Sequence, residues 1–564
     1  MDYNDEHFRM FISIGTESQH RTILDKLNHF YENLTGIKNF DIENFQHFVI
    51  AFTKSNTIPL CNILIHFATN CFYLYDSHSQ IIKHRNYYNN VIKFMIANTR
   101  PMYPNIQTLC VFTNQNNSYR YAYHDISNVE LFQNIAYLQA KLCPDLIFHN
   151  KYNKTNHSNK IKIAFISDLV IKLHSVAKDR LGIIKHLIYD PHFDVKIITR
   201  HEPDLFFQKI MFDSDTHSHP NFNLNNIIIK MDPYDLLSNR KQIADEHFDI
   251  IVYPEIGMCS RSRFIAFSRL APIQINTWGH SDTSGLPNID YFISSKYFNS
   301  KNDHTHYSEK LVLFDSIGTY YYNIFNLFNN EFSFQDDENI LRNNIIQQTH
   351  IDNPNIYGCI QVFIKFNPAF VQILNDILKA DDNAIIVLLS TNKGDNDDIL
   401  FTNYIKSNIY LFERIYFIHQ SPFHEFAKII KSCDLILDYY PFGGFNSTIE
   451  SFLLGKICIT LPGNRISSKF TQGLYQKMDI YEFICHSNKE YVSKAVEYAN
   501  NPQKRKQFEE IILANTHKII EDKDSVHEWK TFLKKIYYEK IHPFNNAIDS
   551  HSHSNLTHIC EKAG

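Results

Sequence analysis

The sequence predicts an α/β protein in which two doubly wound domains follow an α-helical N-terminal domain. From about residue 160 onward, short apolar runs alternate with helical patterns. This alternation occurs twice, on either side of a less regular stretch from about residue 314 to 355. Before residue 157, apolar residues recur at three- and four-residue spacing, which is typical of amphipathic helices. At 564 residues, the chain is long enough for several domains.

The predicted domain boundaries follow from these changes of pattern. We expect a helical N-terminal domain over residues 1–157, ended by a polar segment rich in Asn and Lys. The first doubly wound domain is predicted over residues 158–320 and the second over 321–540. The tail, 541–564, is predicted to be disordered.

Ten apolar runs are predicted to form parallel strands. In the first domain they are 161–166, 195–199, 250–253, 273–278 and 291–294. In the second domain they are 357–363, 384–389, 415–418, 435–437 and 457–461. Ligands of such domains bind at the carboxyl ends of the strands, so polar residues just after a strand are the candidates for function.

Composition excludes several classes of protein. The net charge of −5 argues against a nucleic-acid binder that works by bulk electrostatics. No uninterrupted apolar window of about 18 residues is present, so no membrane span is predicted. The ten cysteines form no C-x-x-C pair, and the N-terminus has no signal-peptide pattern. We therefore expect a cytoplasmic protein with reduced thiols.

A glycine-rich turn after the strand 435–437 is the strongest functional signal. Gly443 and Gly444 precede a predicted helix that opens with Asn446, Ser447 and Thr448. The unpaired N–H groups and the positive dipole end of such a helix form an anion site. Glu450, one turn further, can accept hydrogen bonds from sugar hydroxyls. A phosphate beside a ribose indicates a nucleotide.

Two further residues of the second domain follow predicted strands. Lys365 follows the first strand, and a lysine that enters a cleft between domains can neutralise a leaving diphosphate. The alternative is a surface lysine without a functional role. Gln420 lies in a polar turn after the third strand, where it can line a pocket for a nucleotide base.

The first domain offers three candidates. His174 lies near the start of the helix after the first strand, and it can act as a general base or contact a diphosphate. The alternative is a histidine that caps the helix. Glu255 and His280 each follow a later strand. For Glu255, a catalytic role and a structural role that caps a nearby loop are both kept open.

Sequence motifs for metal binding are weak, and two common motifs for nucleotide binding are absent. The sequence contains neither G-x-G-x-x-G nor the P-loop pattern, which disfavours dinucleotide oxidoreductases and P-loop NTPases. Asp213-Ser214-Asp215 and Asp395-Asn396-Asp397 fit an Asp-x-Asp pattern that binds Mn²⁺ and a diphosphate. Neither lies directly at the end of an apolar strand, so a polar loop is the favoured interpretation. No metal site is therefore predicted at these two motifs.

Several motifs, in order along residues 160 to 540, resemble one family. They include Ala271-Pro272-Ile273-Gln274, Thr277-Trp278-Gly279-His280 and Thr283-Ser284-Gly285-Leu286-Pro287. Gln361 with Lys365 and the stretch from Asp438 to Glu450 fit the same pattern. Together they resemble the catalytic region of O-linked N-acetylglucosamine transferases and SPINDLY proteins. The likeness is greatest to the bacterial form that carries tetratricopeptide repeats.

The resemblance implies a GT-B fold, in which two Rossmann-like domains face a cleft. It implies an inverting glycosyltransferase that moves N-acetylglucosamine from a UDP-sugar to a protein Ser/Thr hydroxyl without a metal. By position, His174 matches the family's active-site histidine, and Lys365 matches the lysine at the donor diphosphate. Asn446, Ser447 and Thr448 match the helix start at the phosphates, and Glu450 matches the acidic residue at the ribose.

Alternatives stay open at this point. The donor can be GDP-fucose or a UDP-hexose, as SPINDLY-type relatives use a fucose donor. The repeat array that presents protein substrates is not recognisable, so another acceptor is an alternative. A Mn²⁺-dependent transferase and a catalytically inactive GT-B scaffold that binds a partner are the two remaining hypotheses.

Overall fold

A computed structural model describes residues 74–101, 118–152, 159–212, 224–328, 338–419 and 423–541. Most of the predicted N-terminal domain, the predicted disordered tail after residue 541, and Gln420 lie outside these ranges.

The first doubly wound domain is built on a seven-stranded parallel sheet. Its strand order is β3-β2-β1-β4-β5-β6-β7. The strands are β1 Ile161–Ile166, β2 Phe193–Thr199, β3 Ile228–Lys230, β4 Ile250–Tyr253, β5 Ile273–Thr277, β6 Tyr291–Ser295 and β7 Lys310–Phe314. The helices of this part of the chain are α3 Ser175–Ile188, α4 Leu205–Met211, α5 Leu236–Asp245, α6 Ser260–Ala266 and α7 Ile324–Leu327.

The second doubly wound domain has a five-stranded parallel sheet of order β10-β9-β8-β11-β12. The strands are β8 Asn355–Cys359, β9 Ala384–Leu389, β10 Ile415–Ile418, β11 Leu435–Leu437 and β12 Cys458–Ile459. The helices are α8 Glu338–Thr349, α9 Pro368–Ala380, α10 Asn396–Asn408, α11 Phe423–Ser432, α12 Asn446–Leu453, α13 Phe470–Lys477, α14 Asn488–Asn500 and α15 Pro502–Asn515. The predicted α/β class is confirmed.

Two helices of the N-terminal region pack onto the first domain. They are α1 His78–Asn98 and α2 Val129–Leu142. Their apolar residues share one core with one face of the first sheet, including Ile135 and Leu138 with Ile166 and Ile251. The helices α1 and α2 are therefore integral to the first domain, whereas Tyr123 and Asp125 contact Phe442 and Asn464 of the second.

The C-terminal helix α16, Lys523–Ile541, returns to the first domain. The Trp529 indole donates to the Gly318 carbonyl at 3.0 Å, and Glu528 accepts from the Asp315 and Ser316 amides at 2.7 and 2.8 Å. The predicted second domain, 321–540, includes this helix by sequence, whereas in space the helix covers the first sheet.

The ten predicted strands are present, with ends that differ by a few residues. Two more, β3 and β7, were not predicted. The strand β3 is only three residues long. The strand β7 follows β6 through the short 3₁₀ helix Lys301–His306 rather than an α-helix, which interrupts the strand–helix alternation. Both are edge strands, where partial exposure weakens the apolar signal.

Within the described ranges, no helix combines the length and the hydropathy that crossing a membrane requires.

Candidate functional site

A buried carboxylate organises the glycine-rich turn of the second domain. Asp438 directly follows β11 and is 4% exposed. It accepts hydrogen bonds from the Gly444 amide at 2.8 Å, the Gln361 side chain at 3.1 Å and the Thr460 hydroxyl at 2.8 Å. A Cβ at Gly443 would lie 2.7 Å from the Asp438 carboxylate, so only glycine lets the turn close around it. Burial raises the pKa of Asp438.

The helix α12 begins directly after this turn, without a side-chain cap. Its first residues are Asn446, Ser447 and Thr448, as predicted. The Thr448 hydroxyl donates back to the Gly444 carbonyl at 3.0 Å, which fixes the turn against the helix. The buried Asn446 Oδ1 has no hydrogen-bond partner in the described part of the chain. The first N–H groups of α12 are therefore available to an anion.

A chain of contacts places Lys365 beside the start of α12. Lys365 ends a 3₁₀ turn, Phe363–Lys365, that follows β8. Its Nζ donates to Gln361 Oε1 at 2.7 Å, and the other end of the Gln361 amide reaches Asp438. Nζ also lies 4.5 Å from the centre of the Phe442 ring. Burial lowers the pKa of Lys365 to about 8, against the opposing attraction of Asp438.

The structure brings together most of the predicted donor-site residues. Gln361, Lys365 and the segment from Gly444 to Thr448 surround Asp438 at the carboxyl edge of the second sheet. Asp438 itself was not predicted as a site residue. The sequence did contain a signal for Asp438, because a carboxylate just after a buried strand is the same pattern that made Glu255 a candidate.

His174 caps the helix α3 of the first domain. Its Nδ1 accepts a hydrogen bond from the Val176 amide at 3.2 Å. Burial, with Lys172 and Lys178 nearby, lowers the pKa of His174 to about 4. The imidazole is therefore neutral near pH 7, and because Nδ1 is an acceptor, Nε2 carries the hydrogen. The structure favours the capping alternative, and Nε2 is a hydrogen-bond donor rather than a base.

Glu255 is a structural carboxylate in this fold. It is fully buried and accepts hydrogen bonds from the Asp168 and Leu169 amides at 2.9 and 3.0 Å and from the Ser167 and Ser262 hydroxyls. Burial raises its pKa. Four donors hold both oxygens in place, so the geometry favours the structural alternative over a catalytic one.

His280 lies in the loop after β5, packed against Gly257 and Tyr119. The Tyr119 ring meets it edge-on, with 5.7 Å between ring centres. Gly257 has a φ of +101°, and a Cβ there would lie 2.6 Å from the imidazole. Burial lowers the pKa of His280 to about 4. Its Nε2 is buried and has no partner among the described residues. The structure thus keeps the His280 imidazole neutral and buried.

Glu450 connects the two domains. It lies in α12, is 3% exposed, and forms an ion pair with Lys178 of α3. The Tyr321 hydroxyl donates to the same Oε1 atom at 3.2 Å. Lys178 was not predicted, and its partner is 272 residues away in sequence, so no local pattern could indicate it.

The described Asp-x-Asp candidate is a helix cap. Asp395 accepts from the Asp398 amide and the Thr391 hydroxyl, both at 2.7 Å, at the start of α10. The other candidate, Asp213-Ser214-Asp215, lies outside the described residues from Asp213 onward.

In the described ranges, one group of three potential metal ligands lies close together, namely Asp168, Glu255 and Cys259. Asp168 is already ion-paired with Arg200 at 2.7 Å and with Arg261 at 3.4 Å. Because the Glu255 oxygens are also occupied by donors, this donor set does not fit a cation.

Two parallel sheets that share the strand order 3-2-1-4-5, counted within each domain, are the architecture of a GT-B fold. The solved structure of a mutant O-GlcNAc transferase from Thermobaculum terrenum superimposes with a TM-score of 0.62. The match covers 86% of this chain and 84% of that one at 14% identity, so it shows the fold.

Residues 337–520 match the model of glycosyl transferase family 41. A UDP-glucose:protein N-β-glucosyltransferase of Actinobacillus pleuropneumoniae is 27% identical over 273 residues, 47% of this chain and 40% of that protein. A probable UDP-N-acetylglucosamine–peptide N-acetylglucosaminyltransferase SPINDLY of Hordeum vulgare is 24% identical over 240 residues, 41% of this chain and 23% of that protein. The chain thus spans less than half the length of these relatives. The predicted resemblance is confirmed.

Proposed function

We propose that this chain transfers a sugar from a UDP-sugar to a protein acceptor, with inversion and without a metal. The observation that supports this most is the network at the carboxyl edge of the second sheet. There Asp438 joins the start of α12 to Lys365 through Gln361. One cation and one open helix start are thereby held at the same place, as a diphosphate requires.

Lys365 and α12 act on the departing nucleotide. As the bond between the sugar C1 and the diphosphate oxygen breaks, negative charge builds up on that oxygen. The Lys365 ammonium and the N–H groups at Asn446 to Thr448 stabilise this charge. Because Lys365 is held by Gln361 and the Phe442 ring, little reorganisation is needed.

The acceptor atom forms its bond to the sugar C1 on the face opposite the departing diphosphate, and it loses its proton as this bond forms. His174 does not take this proton in our proposal, because its Nδ1 is occupied by the Val176 amide and its Nε2 carries a hydrogen. His174 donates a hydrogen bond to the donor phosphate, and a phosphate oxygen of the leaving group receives the proton.

The first candidate sugar is N-acetylglucosamine, delivered to a Ser/Thr hydroxyl, as the motifs imply. A second candidate is glucose delivered to a protein nitrogen, supported by the similarity to a UDP-glucose:protein N-β-glucosyltransferase. We further propose a cytoplasmic location, supported by the free thiols of the cysteines that lie in the described ranges.

A thermal-shift panel of UDP-N-acetylglucosamine, UDP-glucose and GDP-fucose tests the donor. We expect a UDP-sugar to raise the melting temperature, followed by transfer to proteins of a cell extract, detected by mass spectrometry. Activity should persist in EDTA, whereas loss restored by Mn²⁺ would show the metal-dependent alternative. If no nucleotide sugar raises the melting temperature, the chain is an inactive scaffold.

The Lys365→Ala variant tests the mechanism. We expect turnover to fall by about 10²-fold or more, as for the loss of a charged group at a transition state. Lys379→Ala is the matched control, because Lys379 is an exposed lysine of the same domain near the end of α9. Near-normal turnover of Lys365→Ala would remove Lys365 from the mechanism.

A further inference from the structure

The two oxygens of the Glu450 carboxylate are in different environments. Oε1 takes both hydrogen bonds of this side chain, one from Lys178 and one from Tyr321. Within the described residues, no donor reaches Oε2, and Oε2 is not among the fully buried atoms that lack a partner. The carboxylate is therefore fixed through Oε1, whereas Oε2 is neither hydrogen-bonded within the described residues nor fully buried.

The free oxygen lies on the functional face of α12. Glu450 is four residues after Asn446, so the two side chains lie on one face of the helix. Asn446 Oδ1 is also a hydrogen-bond acceptor without a partner in the described part of the chain. That atom is fully buried, and the Asn446 side chain hydrogen-bonds to Asp179 of α3. Glu450 Oε2 is therefore the acceptor beside the phosphate site that a ribose hydroxyl can meet.

The first domain and the interdomain segment hold this carboxylate in place. Lys178 lies on α3, one turn after His174, and its Nζ lies 4.5 Å from the centre of the Phe423 ring. Tyr321 lies between the two sheets in sequence and is buried. The side chains of Lys178 and Glu450 are only 11% and 4% exposed, so screening by solvent is weak.

We propose that Lys178 is a positioning residue for the donor ribose. By holding Oε1 of Glu450, it turns Oε2 toward a ribose hydroxyl of the nucleotide. Recognition of the ribose by the second domain thus depends on a cation of the first, and nucleotide affinity reports whether the two domains are closed. This proposal rests on the proposed function, because it requires a nucleotide at α12.

The test compares UDP with 2′,3′-dideoxy-UDP, which lacks both ribose hydroxyls, by titration calorimetry of the full chain. The unsubstituted protein should bind UDP more tightly. Lys178→Met should weaken UDP binding by about tenfold, equivalent to one hydrogen bond to a charged group, and leave the dideoxy nucleotide unchanged. Lys178→Arg should retain the preference for UDP, since it keeps the charge.

Two controls separate positioning from folding. Lys185→Met removes another lysine seven residues along α3, where it lies 5.6 Å from the Tyr322 ring and not at Glu450. It should keep the preference for UDP. Tyr321→Phe removes the second donor to Oε1 and should reduce the preference partially while keeping the ring.

Equal weakening of both nucleotides, unchanged discrimination, or tighter UDP binding in Lys178→Met would each overturn the proposal. The last result would mean that Lys178 competes with the ribose. If the unsubstituted protein binds neither nucleotide, the proposed function fails, and this proposal fails with it. If UDP binds and Lys178→Met discriminates normally, only the positioning role fails.

Discussion

The lowered pKa of Lys365 makes donor binding depend on pH in a defined direction. Burial lowers this pKa to about 8, from 10.5 in water. The ammonium form is the one that attracts a diphosphate, and it is present below the pKa. Raising the pH through 8 therefore removes the charge, and the affinity for UDP should fall.

The magnitude follows from the protonated fraction. With a pKa of about 8, about nine-tenths of the lysine is charged at pH 7 and about one-tenth at pH 9. If only the charged form binds, the dissociation constant rises by about tenfold between pH 7 and pH 9 and by about tenfold for each further pH unit. A diphosphate keeps a constant charge in this range, because its last pKa is about 6.

Calorimetric titration with UDP from pH 6.5 to 9.5 measures this effect, with circular dichroism to confirm that the fold persists. Lys365→Arg is the matched variant, because arginine stays charged throughout the range, so its affinity should be flat. A UDP affinity of the unsubstituted protein that is constant through pH 8, or an equal fall in Lys365→Arg, would refute the reasoning.

Three further substitutions test the surrounding geometry. Gly444→Ala places a Cβ 2.3 Å from the Ser447 hydroxyl, so chemical denaturation should show a loss of about 1–3 kcal/mol, partly restored by adding Ser447→Ala. Glu255→Gln should lower the melting temperature through about 2–3 kcal/mol of lost hydrogen bonding, whereas a stable variant with reduced turnover would indicate a catalytic role. Asp179 lies in α3, and burial raises its pKa to about 7. Between about pH 4 and pH 7 the native state therefore keeps a proton that the unfolded state has lost, so the free energy of unfolding falls as the pH rises through this range. Asp179→Asn should therefore be more stable than the parent above pH 7, by no more than about 4 kcal/mol, and equally stable near pH 3, as urea unfolding at the two pH values would show.

The sequence predicted the two sheets well because buried parallel strands are nearly continuous apolar runs. The run 384–389 is one example, and β9 has these bounds in the structure. The helix α16 shows the limit of this reasoning. Its amphipathic pattern predicts a helix but not the sheet that it covers, because docking onto the first domain depends on a contact such as that between Trp529 and Gly318, far apart in sequence.

The proposed donor-site residues near α12 could be selected from the sequence because helix starts and strand ends are local patterns. The roles of individual side chains were not. The tautomer of His174 depends on the Val176 amide, and the accessible oxygen of Glu450 depends on Lys178 from the other domain. Both are set by the direction of a single hydrogen bond, which leaves no trace in residue spacing.

Glu255 and Asp438 show why one pattern led to two different outcomes. The two sheets share the strand order 3-2-1-4-5, counted within each domain, and both carboxylates follow the fourth strand. Each binds the loop after the neighbouring first strand, through Ser167 in one domain and Gln361 in the other. In parallel sheets the carboxyl ends of adjacent strands meet at one edge, so a buried carboxylate there collects the hydrogen-bond donors of the next loop. The same signal thus marks a structural carboxylate in both domains, and in the second domain this carboxylate holds Gln361 and Gly444 of the proposed donor site.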